Sequence, residues 1–258
     1  MDIEAAVAYL LELSAGHIEC EKDGFIPFSQ KKGATVHAID GSSVTLFDTH
    51  AFSICARRVG YLHADEQQVR HSEIGEIAID VISSDNADAV NDERRGKEER
   101  ALAETLQDGL ILFDGCTRGD EHHVVGISKK SGMREGNVPL LSVLKPIGDS
   151  MMPKKCWYYE ICNGTYAVKF HPYAPFIFRV DYHGDAPEEV FAEIAALCND
   201  ITCQGYPYPL AEIHRMVKIG REEAEALKLD LVCMLVAQGM SLEDLDQLLY
   251  DYHEYMEG

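Results

Sequence analysis

An α/β or α+β fold is what the sequence predicts, and three observations carry the prediction. Short runs of strand-like, largely alternating pattern fill residues 34 to 83, a charged helical pattern interrupts them, and apolar strand-like runs resume at residue 109. From residue 187 onward the apolar positions recur at helical spacing, so the last third of the chain is helical. The chain has 258 residues, 46% of them hydrophobic, which suffices for one sizeable core. No repeat, low-complexity run or Pro- or Gly/Ser-rich linker divides it, so one domain over 1–258 is expected.

Residues 3–14 (IEAAVAYLLELS) form an amphipathic helix ending near Gly16. Ala34–Asp40 alternates between Gly33 and Gly41 and forms a strand, with Val44–Phe47, Phe52–Tyr61 and Ile74–Ser83 as the next ones. Asn91 can cap a helix over Asp92–Gln107. Gly109–Asp114 (GLILFD) is continuously apolar, as a strand central to a sheet would be, and His123–Ser128 is its expected neighbour. Strands are then expected at Cys156–Ile161, Thr165–Phe170 and Phe176–Asp181. Helices follow at Pro187–Leu197, Pro209–Gly220, Glu222–Ala237 and Leu242–Met256.

Charge restricts the partners. Lys plus Arg number 23 against 44 Asp plus Glu, a net charge of −21, whereas affinity for nucleic acid comes largely from cations meeting phosphates. The acid is unevenly spread: residues 221–258 hold two basic and ten acidic side chains, residues 115–155 seven basic and four acidic. An acidic exterior around a locally basic cleft accommodates both facts; adaptation to a salt-rich cytoplasm is another origin for the acid. None of the eight cysteines forms a CxxC pair, which argues against a zinc knuckle and suits reduced thiols in a cytoplasmic protein. No stretch reaches the apolar length of a membrane span, and Asp2 and Glu4 at the start do not suit a signal peptide.

Two carboxylates stand where apolar strands are expected to end, in Asp40-Gly41-Ser42-Ser43 and in Asp114-Gly115. Asp-Gly is also a common turn opener, but strand ends are where side chains leave the core and ligands gather. Glu98 and Glu99, on the intervening helix, can add a third acid; Glu98 is favoured because it stands four residues before Leu102. Three converging carboxylates suit two hard divalent ions, Mn²⁺ or Mg²⁺, which stabilise both the attacking and the leaving oxygen of a phosphodiester. Lys129, after an apolar strand, and Arg179 are candidate phosphate contacts. His214 shares helical spacing with Leu210, Ile213 and Val217, which places it on an apolar face as a core histidine. Tyr206 reads as turn packing.

The order strand with Asp, further strands, helix with Glu, strand ending in Asp resembles that of RNase H-like nucleases. More narrowly, Asp40-Gly41-Ser42, Leu110–Gly115, Gly126-Ile127-Ser128-Lys129 and Tyr206 followed by His214 resemble the motifs of the NurA family over roughly residues 34–220. Cys116 stands where the family more usually has Ser. The resemblance implies an α/β, RNase H-like mixed sheet flanked by helices, with a helical extension from about residue 221. It also implies a metal-dependent DNA nuclease with 5′ to 3′ exonuclease and single-strand endonuclease activity. Metal ligands would be Asp40, Glu98 or Glu99, and Asp114, with Lys129, Tyr206 and His214 catalytic. The implied setting is a homodimer processing DNA ends with a HerA-type hexameric ATPase. The alternatives are a non-catalytic adaptor of such an ATPase and an RNase H-like enzyme acting on RNA.

Overall fold

The computed structural model describes residues 2–14, 20–49, 51–106, 109–117 and 123–249. In chain order the elements are α1 (Ile3–Ser14), β1 (Phe25–Phe28), β2 (Thr35–Asp48), β3 (Ser53–Asp65), β4 (Val69–Ile74), β5 (Ala78–Ile82) and α2 (Ala87–Thr105). There follow β6 (Leu110–Asp114), β7 (Val124–Ser128), β8 (Arg134–Glu135), β9 (Val138–Pro139), α3 (Leu140–Met151), β10 (Cys156–Cys162), β11 (Thr165–Lys169) and β12 (Phe178–Asp181). The helices α4 (Pro187–Ala196), α5 (Tyr208–Val217), α6 (Arg221–Ala237) and α7 (Leu242–Leu249) complete the chain. Ten strands form one mixed sheet in the order β1-β10-β11-β12-β7-β6-β2-β3-β4, with β5 also paired to β3; β8 and β9 form a separate two-stranded ribbon. The β6–β7 pair is parallel, while β1–β10, β10–β11, β11–β12, β12–β7 and β3–β5 are antiparallel.

The chain groups into two compact units. One comprises Met1–Ala38, His63–His71 and Asp108–Glu212, the other Ile39–Leu62, Ser72–Gln107 and Ile213–Gly258. In the first, Phe191 of α4 is fully buried among the rings of Phe28, Tyr158, Tyr166, Phe170 and Tyr182, with centroids 5.2 to 6.4 Å away. Trp157 of β10 packs with Phe25, Leu144, Ala167 and Ile177 in a second apolar cluster. In the other unit Leu46, Phe47, Ile54, Ala56, Ile219, Ala224, Leu245 and Leu249 form the core, which draws α6 and α7 onto the residues of β2 and β3.

Several elements differ from the sequence-based expectation, each for a local reason. β2 does not stop at Asp40: Gly41 is absent from the left-handed glycines, so no turn forms and the strand continues through Val44–Phe47 to Asp48. α2 begins five residues before Asp92, because the Asn86 side chain accepts the Ala89 N–H and supplies the cap. Asn91 lies inside that helix, buried, and its Nδ2 donates to the Ala56 carbonyl at 3.2 Å. The strand expected at Ile74–Ser83 is only β5, while Ile74 ends β4, which was not expected; the chain breaks between them at Gly75, whose N–H bonds the Val59 carbonyl. Pro27 hides β1 and Pro146 hides α3 from a pattern search, since proline opposes both elements. Gly16, Gln107, Arg118 and the expected helical residues 250–256 lie outside the described residues.

One buried charge gives a test of the first unit. The Lys169 side chain is 5% exposed, and its Nζ meets Asp149 Oδ1 at 2.5 Å; Lys145 meets the other oxygen at 2.6 Å. Burial opposes ionisation of Asp149, yet hydrogen bonds from Lys145, Lys169 and Trp157 outweigh it and hold the carboxyl below its usual range. Its stabilisation is therefore present above the unfolded pKa and lost as pH falls through the lowered one. Asp149→Asn strands the Lys169 charge and is expected to cost about 3 kcal/mol in urea denaturation, well beyond Lys145→Met. Equal midpoints for the two variants would mean that the Lys169 ammonium is not desolvated.

Candidate active site

In the second unit, Asp40 on β2 is 4% exposed. Its Oδ1 accepts the Gly41 N–H at 2.8 Å, and its Oδ2 lies 2.7 Å from His214 Nδ1. The helix that carries His214 is fastened at its C-terminal end. Arg58 Nε donates to the Val217 carbonyl and its Nη2 to the Lys218 carbonyl, both at 3.0 Å, while Nη1 pairs with Glu223 at 2.9 Å. A cation there satisfies terminal carbonyls and complements the helix dipole. Ile219 N–H donates to Ser42 Oγ at 3.1 Å, tying the chain after α5 to the Asp40-Gly41-Ser42 segment. Leu210, Ile213 and Val217 are fully buried as the spacing predicted. His214 itself departs from the core reading: its side chain is 51% exposed, at the margin of the apolar stripe, with the imidazole turned to Asp40.

The acid that α2 brings to Asp40 is Glu99. Its side chain is 13% exposed and accepts from Arg95 at 2.7 Å. Burial, reinforced by the charge of Asp40 and opposed by Arg95, pushes its carboxyl up to about 7. Two carboxylates are thus packed with too little positive charge around them, the situation a bound cation relieves. Glu98, favoured from the sequence, goes elsewhere: it accepts from Arg57 Nε at 2.8 Å, and Arg57 also binds Asp80. The reason is helical phase. Ala87, Asn91 and Ala103 are the buried positions of α2, and with Arg95 and Glu99 they form a column at steps of four, whereas Leu102 is only partly buried. The small residues at 87, 91 and 103 were the available signal.

Gly41 leaves room for this acid. A Cβ there would lie 2.7 Å from Glu99 Oε1 and 2.8 Å from Arg95 Cγ. Because the carboxylate end can swing aside, Gly41→Ala is expected to cost about 1 to 2 kcal/mol of stability but to displace Glu99. Metal-dependent activity should fall at least about tenfold more than a stability loss of that size explains, measured as turnover against metal concentration. Unchanged turnover would detach Glu99 from the chemistry.

In the first unit, Asp114 ends β6 and Lys129 follows β7. The parallel register sets Asp114 beside Ile127, and Gly115 N–H donates to the Ile127 carbonyl at 3.0 Å. A Cβ on Gly126 would stand 2.5 Å from the Gly115 carbonyl oxygen and 2.7 Å from Thr117 N, so the turn after Asp114 needs glycine beneath it. Two of the motifs read from sequence are thereby one structural feature. Lys129 Nζ donates to Asp114 Oδ2 and lies 4.8 Å above the Tyr206 ring. Tyr206 is 6% exposed and packs on Phe178, with centroids 5.2 Å apart. Arg179 is clamped by Asp181, Nε to Oδ1 at 3.0 Å, and Asp181 also accepts from Thr165. Cys116 Sγ lies 3.3 Å from Ser128 Oγ. Sequence reasoning overlooked Arg95 and Arg58, since an arginine on a charged helix or an alternating strand carries no distinctive pattern.

No family model matches the chain, and no curated protein sequence matches it. Solved structures do. The NurA nuclease from Sulfolobus solfataricus gives a TM-score of 0.67 at 14% identity, covering 93% of this chain and 96% of that one. A second NurA crystal structure gives 0.65 at 11% identity, covering 90% and 97%. A structure of NurA with manganese gives 0.63 at 10% identity, covering 87% and 96%. These likenesses show a fold like that of the NurA structures: in this chain, a ten-stranded mixed sheet flanked by helices, with a helical C-terminal part.

Proposed function

We propose that the chain is a divalent-metal-dependent nuclease that cleaves DNA, with Asp40, Asp114 and His214 as protein ligands of the metal and Glu99 as a further carboxylate. The observation that carries the reading is the buried Asp40 carboxylate, bonded to the His214 imidazole and crowded by Glu99, on a fold like that of NurA. Such donors suit Mn²⁺ or Mg²⁺, and we assign two ions. Bound divalent ions would polarise the phosphodiester and stabilise negative charge on its entering and departing oxygens. Asp40 fixes the His214 ring through Nδ1, which leaves the Nε2 lone pair to hold a metal ion. Lys129, oriented by Asp114 and by the Tyr206 ring, supplies a point charge to the strand. Arg179, already paired to Asp181, contributes to the local positive field.

In the same reading the activity is 5′ to 3′ exonucleolytic with endonuclease action on single strands. The protein works as a homodimer in cytoplasmic DNA-end processing with a HerA-type hexameric ATPase. The test is one incubation series: end-labelled single-stranded and duplex DNA, and matched RNA, each with Mn²⁺, Mg²⁺ or chelator. Metal-dependent shortening of DNA from labelled ends is expected. Preferential loss of RNA would move the assignment to an RNA-directed enzyme. No cleavage together with no Mn²⁺-induced thermal stabilisation would leave a non-catalytic adaptor.

A further inference from the structure

A cavity of about 510 Å³ lies in the first unit, its lining including Phe28, Gln30, Lys154, Lys155, His171 and Asn199. It includes none of Asp114, Lys129 or Tyr206 and has no acidic residue in its lining, in a chain of net charge −21. Phe28 and Cys156, both buried, make an apolar floor. One wall is fixed by a reciprocal amide pair. Gln30 Nε2 donates to Asn199 Oδ1 and to the Ala195 carbonyl, both at 3.0 Å, and Asn199 Nδ2 returns a bond to Gln30 Oε1 at 3.2 Å. His171 Nδ1 accepts the Tyr173 N–H at 3.2 Å, so a neutral ring carries its proton on Nε2 and remains a donor there.

The cations are what give the cavity a chemistry. Among the described residues neither Lys154 nor Lys155 has an ion-pair partner, whereas Lys31, Lys129, Lys145 and Lys169 each have one. Lys154 has φ 58°, the one non-glycine left-handed residue among those described. That conformation is unfavourable for a lysine, and it lies in a segment between α3 and β10 where both cations are exposed. A phosphomonoester carries about −1.5 to −2 charges near neutral pH against −1 for a diester, so paired lysines suit the end of a strand better than its interior. A concavity also suits an end better than a continuous strand.

We propose that this cavity is a phosphomonoester site, occupied by the terminal phosphate of a nucleic-acid strand or by a free nucleoside monophosphate. The proposal deepens the nuclease reading and rests on it for the identity of the ligand. Asn199 begins the loop that ends at Tyr206, where Gly205 N–H donates to the Cys198 carbonyl at 2.9 Å. The cavity and the Lys129-bearing ring therefore lie at the two ends of one short loop. A strand end held here would place the strand's register relative to the cleavage residues.

The experiment measures fluorescence polarisation in chelator, where no cleavage occurs. The probes are a labelled single-stranded oligonucleotide with a terminal phosphate and its hydroxyl-ended twin, with dAMP, deoxyadenosine and inorganic phosphate as competitors. The full chain is compared with Lys154→Gly/Lys155→Met, in which the glycine relieves the left-handed strain and so protects folding. The native chain should bind the phosphorylated probe about tenfold more tightly than its twin. The double variant should lose that preference, and its salt dependence should be shallower by about two phosphate contacts. Competition by dAMP but not deoxyadenosine would make a free nucleotide an occupant; competition only by phosphorylated strands would restrict the site to strand ends. Equal binding of both probes by the native chain, or a preference that survives in the double variant, overturns the proposal. A chain that prefers the phosphorylated probe yet cleaves nothing in Mn²⁺ would refute the nuclease reading and leave the phosphate site standing.

Discussion

Asp40→Asn is expected to reduce DNA cleavage by at least about three orders of magnitude and to remove most of the thermal stabilisation by Mn²⁺. Asparagine keeps the shape of the side chain and an oxygen that can accept the Gly41 N–H, so the packing around a 4% exposed position is preserved. What it removes is the negative charge. It also replaces the carboxylate that fixes His214 Nδ1 at 2.7 Å with an amide, which disturbs the ring's tautomer and aim. Asp114→Asn should behave alike in turnover while freeing the Lys129 ammonium. Turnover and the melting temperature with and without Mn²⁺ are the measurements. Near-normal turnover with an intact metal response in either variant would remove that aspartate from the metal assignment.

Glu99→Gln should separate sharply from Glu98→Gln. The Glu99 carboxyl is raised to about 7 in the folded chain against an ordinary value of 4.5, chiefly by burial. The fold therefore favours its protonated form. The associated stability is fully present below about pH 4.5 and is lost as pH rises through 7, a difference on the order of 3 kcal/mol. Glutamine removes that loss. Metal-free Glu99→Gln is accordingly expected to melt higher than the native protein at pH 8, to match it near pH 5, and to lose metal-dependent cleavage. Glu98→Gln weakens a pair to Arg57, whose side chain is 10% exposed, so it should cost stability and leave turnover nearly unchanged. Melting curves in chelator from pH 5 to 8, beside turnover in Mn²⁺, decide the matter. A Glu99→Gln variant less stable than native at pH 8, or equal mild effects of both substitutions on turnover, would sink the assignment.

Much of this was legible in the sequence because it depends on local pattern. The strands GLILFD and HVVGIS announce themselves by continuous apolar character, and they are the parallel pair that carries Asp114 and Lys129. The buried stripe Leu210, Ile213 and Val217 was likewise readable from spacing, although spacing alone turned His214 inward. Misreadings arose where a tertiary contact overrides a local rule. Asp-Gly usually opens a turn, but Gly41 stays extended under Glu99 and Arg95. Asn91 looks like a helix cap until its amide is found on the Ala56 carbonyl, far away in sequence. Glu98 looked better placed than Glu99 because Leu102 was taken for the buried face, and a helix of such weak amphipathic character offers few apolar residues to fix its phase.

The column of α2 at 87, 91, 95, 99 and 103 makes the helix sensitive to length in an asymmetric way. Each residue added or lost between 91 and 98 turns everything beyond it by about 100°. One residue inserted there would carry Glu98 into the place now held by Glu99, so an acid would still face Asp40, although Arg57 would meet Lys97. One residue deleted would bring Arg100 into that place instead, setting a guanidinium where a carboxylate belongs. The Glu98-Glu99 doublet thus protects the site against an insertion but not against a deletion, and turnover of the two length variants should show the difference.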